Sequence, residues 1–357
     1  MSVRRAPQRP ATDLASRPVI SFRHPGYTAA VLDIILALPR VDKVASESDK
    51  FGVHHATALL ACQIIANNAF NGYLSTNRES PMRITTAADG VLTDDEYFFI
   101  VPGNIAYAVV PSFQDWKFPH VEFRNQLWWP DVATGLDDLV RRCAVTQCTY
   151  VLEKAHLVPQ DQRTWYLRNA MQKYSHNGLQ DIDNKRNLLN LRIDLRRTLD
   201  NKDWVVAPKP TGSNPPFAYA VHVLGSDAPA AEFHTTWHNS EVLNLQDNSK
   251  AYLFARFAWA VIQGVKPFIL AGVSRNVARV VVDNQGTPTW KTGPESAKVL
   301  DEQYGGGGSK GATPRNKRSR ITSAADSEAE EDDECTPFDP LELDTCLERI
   351  KRQREEE

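Results

Sequence analysis

A histidine, an asparagine and an arginine-rich segment follow one another in this chain at a spacing that suits phosphate chemistry. Cys143-Ala-Val-Thr-Gln-Cys148 leads into an apolar run ending at Ala155-His156-Leu-Val-Pro159. Asn187 then opens the stretch Asn187-Leu-Leu-Asn-Leu-Arg-Ile-Asp-Leu-Arg-Arg-Thr-Leu-Asp200. Hydrolysis of a phosphodiester near neutral pH needs a base to activate water, a cation to neutralise the phosphorane and the leaving oxygen, and a group that fixes the tautomer of the base. His156 is the candidate base and Asn187 the candidate orienter of its ring. Arg192, Arg196 and Arg197 are candidate phosphate contacts, and Asp194, Glu153, His176 and Asp183 are the nearby side chains able to ligate a metal.

The elements that must position these groups are legible as patterns. Leu136–Arg142 reads as a helix leading into the cysteine motif, and Thr149–Leu157 as a strand with His156 near its end. Gln160–Tyr174 carries Leu167, Ala170, Met171 and Tyr174 at helical spacing, with His176-Asn177-Gly178 as its stop. Asn187–Leu191 is a short extended run followed by a helix to Asp200. Asn201–Lys209, Phe217–Leu224 and Glu232–His238 read as three further strands, and Leu243–Leu270 as mainly one long helix.

These motifs resemble the HNH nuclease domain of the His-Me finger superfamily, in the variant found among fungal proteins. Phe22-Arg-His-Pro25, Val53-His-His55, Asn71-Gly-Tyr73 and Phe113-Gln-Asp-Trp-Lys-Phe-Pro-His120 extend the similarity over roughly residues 20–275. The resemblance implies a ββα-metal module, a divalent-metal-dependent endonuclease using Mg²⁺ or another divalent cation, and a nucleic acid, DNA ahead of RNA, as partner. It puts the family's first His on His156, its Asn on Asn187 and its last His on Arg196. Arginine stays protonated and cannot ligate a cation, although it can bind a phosphate oxygen. The position before His156, often a ligand in the superfamily, is Ala155. The alternative expectation is a catalytically inactive nucleic-acid-binding or protein-interaction protein derived from such a nuclease.

The bulk composition sets the frame. With 42% hydrophobic and 24% charged residues, the 357-residue chain can bury a core over most of its length. The five cysteines, at 62, 143, 148, 335 and 346, are an odd and scattered set, which fits reduced thiols in a cytosolic or nuclear setting better than a disulfide framework. Cys143 and Cys148 have no second close pair within reach, so a structural zinc is not expected and the two are read as small packing residues. Residues 137–209 hold 13 basic against 9 acidic side chains, a local excess of the sign a phosphate surface needs. The longest apolar stretch, Leu253–Val273, is interrupted by Arg256, Gln263 and Lys266, so it reads as a buried helix and no membrane association is expected.

The expected fold class is α+β. Residues 1–21 are expected to be disordered, 22–135 to form an N-terminal α+β region, 136–275 the HNH-type part with its following strands and helix, and 276–304 an irregular or strand extension. In the N-terminal region Val53–Phe70 reads as a buried helix, and Tyr97–Val101 with Ile105–Val110 as a hairpin about Pro102-Gly103-Asn104. Trp116, Trp128 and Trp129 read as core in preference to a base-stacking surface, and His54, His55 and His120 as structural. From Gly305 onward 9 basic and 14 acidic residues, a glycine linker and no core-forming run predict a disordered tail. Its basic cluster Arg315–Arg320 raises a nuclear location, and Leu343, Leu347 and Ile350 a short docking helix.

Overall fold

A computed structural model of the chain describes residues 18–306, apart from 45, 46, 48, 125–128, 132–140, 179, 180, 213–215, 248, 284 and 286. All but the end of the helix expected over Leu136–Arg142, most of the N-terminal segment and the tail with its basic cluster and short helix lie outside the described residues, and Arg141 and Arg142 are not helical. The described residues belong to one compact unit within Met1–Gly308.

In chain order the elements are β1 (Val19–Arg23), β2 (Ile34–Pro39), β3 (Asp42–Lys43), β4 (Phe51–His54), α1 (His55–Ile65), β5 (Tyr73–Ser75), β6 (Val91–Leu92), β7 (Glu96–Ile100), α2 (His120–Arg124), β8 (Leu152–His156) and α3 (Arg163–Arg168). Then follow β9 (Leu188–Arg192), α4 (Ile193–Asp200), β10 (Trp204–Pro210), β11 (Phe217–Val223), α5 (Ala228–Trp237), α6 (Lys250–Gln263), α7 (Lys266–Ile269), β12 (Arg275–Val282), β13 (Pro288–Glu295) and α8 (Ala297–Tyr304). The fold is α+β, as the sequence pattern implies, and its strands are divided among several small sheets. A four-stranded sheet has the order β2-β1-β7-β5, a three-stranded one β3-β4-β6, and β8-β9, β10-β11 and β12-β13 form antiparallel pairs.

One apolar core runs through these pieces, from Ile20 to Leu300. Its centre is α6, whose residues Ala251 to Ile262 are all buried, and which packs on α1 and β10. A helix apolar around its whole circumference can be stable only when covered on every side. The aromatic segment is core, as its composition indicated: Trp116 stacks on Trp165 with ring centroids 5.6 Å apart, and Trp116, Phe118 and Trp129 are each about 1% exposed or less. Among the described residues no helix is long and apolar enough to cross a membrane.

Several elements differ from the patterns. β1 starts at Val19, inside the stretch expected to lack structure. The expected hairpin about Pro102-Gly103-Asn104 does not form, because both edges of β7 are filled, by β1 in parallel and by β5 antiparallel. Val109 instead makes an isolated bridge to Val277. Glu232–His238 is helical and not a strand: Asp227 caps α5 by accepting from Ala230 N at 2.9 Å, and Pro229 sits in the first turn. The helix expected over Gln160–Tyr174 is broken after α3, where Ala170 takes a left-handed φ of 50°. Asn169 ends it by spending its side chain on Phe118 N and Trp165 O. The helix expected over Leu243–Leu270 begins only at Lys250 and stops at Gly264. Residues 276–304, expected as an irregular or strand extension, hold most of the β12–β13 pair and also a helix, α8, that the pattern did not indicate.

Candidate active site

The candidate residues sit on two antiparallel strands and the helix that follows. β8 and β9 pair with Glu153 opposite Leu191, Ala155 opposite Leu189 and His156 opposite Leu188. α4 continues directly from β9 and packs on both strands through Leu195 and Leu199, which are four residues apart and fully buried. Strand alternation puts Glu153 on the face of the buried Ala155 and His156 on the other. The cysteine turn is docked against β9: Cys143 Sγ accepts the backbone N–H groups of Thr146 and Arg192, and Ala144 N donates to Asn190 O at 2.8 Å.

His156 and Asn187 are brought close in the chain path but not ring to amide. Asn187 is fully buried, and its side chain is consumed by backbone: Oδ1 accepts from Val158 N at 2.7 Å, and Nδ2 donates to Val158 O and Ile182 O. With Leu157 N donating to Asn187 O at 2.8 Å, it staples the exit of β8 to the turn before β9. The side chain that reaches the His156 ring is Asp183, with Oδ1 2.6 Å from Nε2, in the place where Asn187 was expected. The same oxygen accepts from Gln160 Nε2 at 2.7 Å. The Gln160 amide and then the His156 ring hold the Asp183 carboxyl below its ordinary range. Gln160 was not singled out in the sequence, and only its position just past Pro159 could have drawn notice.

Of the three candidate arginines, Arg192 at the end of β9 and Arg196 on α4 are already engaged. Arg192 holds Asp194 through two bonds of 2.7 and 2.6 Å, and Arg196 pairs with Glu153 and, at 3.5 Å, with Asp200 four residues on. Arg197 is exposed on α4 and Lys154 on β8, and among the described residues neither forms an ion pair. A further arginine, Arg256 on α6, was read only as a break in an apolar run. It is 1% exposed, and its guanidinium donates to His156 O at 3.3 Å, to Leu157 O at 3.5 Å and to Leu199 O at 2.6 Å, with Asp200 Oδ1 at 3.4 Å. It therefore ties the end of β8 to the end of α4. A charged residue in the middle of an otherwise apolar helix was the available signal.

The candidate metal ligands do not fit a divalent cation. Asp194 is spent on Arg192, Glu153 on Arg196 and Asp183 on His156 and Gln160, while His176 is exposed on a separate turn. Among the described residues, one group of three imidazole or carboxylate side chains has its ligand atoms within metal reach of one another: Asp42, His222 and His238, on other elements. Sequence reading missed this group because its members lie almost 200 residues apart. The Asp42 carboxylate is already saturated by donors, from Lys209 Nζ at 2.7 Å, His238 Nε2 at 3.0 Å, His54 N at 2.8 Å and Asn239 Nδ2 at 3.4 Å. Burial raises the Asp42 carboxyl, but the Lys209 ammonium, the hydrogen bond from His238 and the neighbouring His222 and His238 rings together outweigh it and hold the carboxyl well below the usual carboxylate range. A cation would have to evict Lys209, so this group is an ion-pair hub that fastens β3 to β10 and to the end of α5.

Two antiparallel strands lead straight into a helix here, an arrangement that fits a ββα-metal module. Residues 143–207 match the HNH endonuclease family, which supports an HNH-family domain in this part of the chain and a nuclease-type function. Comparison with curated proteins and with solved structures gives no match to the chain.

Proposed function

We propose that the chain is an HNH-derived nucleic-acid-binding protein that does not cleave through a divalent metal. The observation that supports this reading most is Arg196. By the resemblance the family's last histidine falls on this residue, and its guanidinium is paired with the carboxylates of Glu153 and Asp200. The position is thus filled by a protein cation, and a second positive charge there would be repelled. Arg197 and Lys154, both exposed, remain to meet backbone phosphates, and Arg196 is half-buried in its pairs with Glu153 and Asp200. The mode of binding is electrostatic positioning on phosphates, with duplex DNA as the first candidate.

A second reading, retained hydrolysis, is favoured by one observation, the His156–Asp183 pair. A carboxylate 2.6 Å from the ring nitrogen fixes the tautomer and stabilises the imidazolium, as a general base requires.

The binding claim is tested by anisotropy of a fluorescent DNA duplex titrated with the full-length protein at several salt concentrations. Two phosphate contacts predict a log–log salt slope of about −2, and Arg197→Ala should flatten it by about 1 unit. Absence of binding by the wild type at low ionic strength would contradict the proposal.

A further inference from the structure

Away from the HNH segment, α1, β10, β11 and α6 surround a cavity of about 400 Å³. That volume is within the range of small-molecule sites. Its inner wall is apolar, with Leu60, Trp129 and Phe257 buried, while Ala56, Ala88 and Phe217 form a more exposed rim. The lining holds one charged side chain, Asp89, which is exposed at that rim. Among the described residues the Asp89 carboxylate makes no ion pair and no hydrogen bond. A second, more polar cleft adjoins the cavity and shares His54, Asp89 and Pro210 with it. The cleft adds Asp42, Lys209, Lys43 and Glu241. Lys209 is paired with Asp42 at 2.7 Å, and Lys43 and Glu241 are of opposite sign, so Asp89 is the charge left over. His54 does not offset it: burial, then the Lys209 ammonium, lowers the ring to about 4, and it is neutral at physiological pH.

We propose that this cavity binds a small amphipathic cation, an aromatic body carrying one protonated amine, with the ring against the apolar wall and the ammonium on the Asp89 carboxylate. The sign of the charge follows from Asp89, which attracts a cation and repels an anion at the mouth. The position of the charge follows from the inner wall, which offers an ionised group no partner and so confines it to the rim. The aromatic body follows from Trp129, Phe217 and Phe257, whose rings give large, rigid contact area.

Equilibrium dialysis of the full-length protein against 2-naphthylmethylamine, 2-methylnaphthalene and 2-naphthoate, which differ in charge on one body, tests this. Saturable binding of the amine is expected. The hydrocarbon should bind up to about fivefold weaker, the worth of one exposed ion pair, and 2-naphthoate weaker still. Raising the salt should shrink the gap between amine and hydrocarbon. Asp89→Asn, at an exposed position, should keep 2-methylnaphthalene binding and remove the advantage of the amine. Ala56→Phe and Ala88→Phe, each enlarging a residue of the rim, should weaken all three ligands while far-UV circular dichroism stays native; having two such variants guards against one failing to fold. The proposal is overturned by any of four results: no saturable binding of the amine by the wild type, 2-naphthoate binding as tightly as the amine, an amine advantage that persists in Asp89→Asn, or amine binding unchanged in a folded rim variant.

Discussion

Replacing Lys209 by methionine is expected to lower the stability of the folded unit by about 3–5 kcal/mol, because it removes one partner of a buried pair and leaves the other charge uncompensated. Lys209 and Asp42 are both more than nine-tenths buried, and they join elements 167 residues apart in the chain. The remaining partners of Asp42, which are His238, Asn239, the His54 amide and the nearby His222 ring, supply less than the ammonium does. Denaturant unfolding at pH 7 reads the loss directly. The pH dependence gives a second readout with a definite sign. In the wild type the Asp42 carboxyl is depressed, so its stabilising contribution is present above the unfolded carboxylate value of about 3.9 and is lost as pH falls through the lower folded value. In Lys209→Met burial is no longer opposed by the ammonium, and the carboxyl rises. The stability gap between the two proteins should therefore narrow as pH is lowered from 7 toward 4. Adding Asp42→Asn to Lys209→Met should recover part of the loss at pH 7. A deficit under about 1 kcal/mol in the single variant would show that the pair does not hold β3 to β10.

Arg256→Met is expected to cost roughly 3 kcal/mol or more, with the damage concentrated at the candidate site. Burial lowers the guanidinium to about 10, yet it stays charged at neutral pH and its bonds to carbonyl oxygens are charge-assisted. Methionine keeps much of the volume but leaves the carbonyls of Leu157 and Leu199 in a dry interior without that donor. The Asp200 carboxylate also loses its contact. Denaturant unfolding measures the total, and amide exchange locates it. Protection should fall selectively in β8 and in α4, while the β12–β13 pair keeps the wild-type pattern. Uniform loss of protection would mean that Arg256 acts only as a general core residue.

How much of this was legible in the chain depends on the range of the interactions. The β8–β9–α4 order was readable because each piece is set by local pattern: an apolar run ending at His156, an extended run after Asn187, and Leu195 with Leu199 one helical turn apart. The buried character of α1 and α6 was readable for the same reason. What failed was decided elsewhere in the structure. Tyr97–Ile100 has the composition of a hairpin strand, but β1 and β5 claim its edges. Glu232–His238 has strand-like residues, but the Asp227 cap and Pro229 start a helix upstream. At the site, His156 and Arg196 were assigned from spacing, whereas Asp183 as the ring partner and Asn187 as a backbone staple depend on how a turn folds back across 27 and 29 residues. The Asp42 hub and the donors of Arg256 join elements far apart in sequence, which no periodicity can report.

The most direct test of the central claim is a plasmid-nicking assay with Mg²⁺ and with Mn²⁺, comparing wild type with His156→Ala at salt concentrations where DNA binding has been shown. With Arg196 seated between Glu153 and Asp200 and, among the described residues, no set of free ligands around it, supercoiled plasmid should stay intact with both proteins at every metal concentration. Metal-dependent conversion to the nicked form by the wild type, abolished in His156→Ala, would contradict the account and establish His156 as the base of a working nuclease.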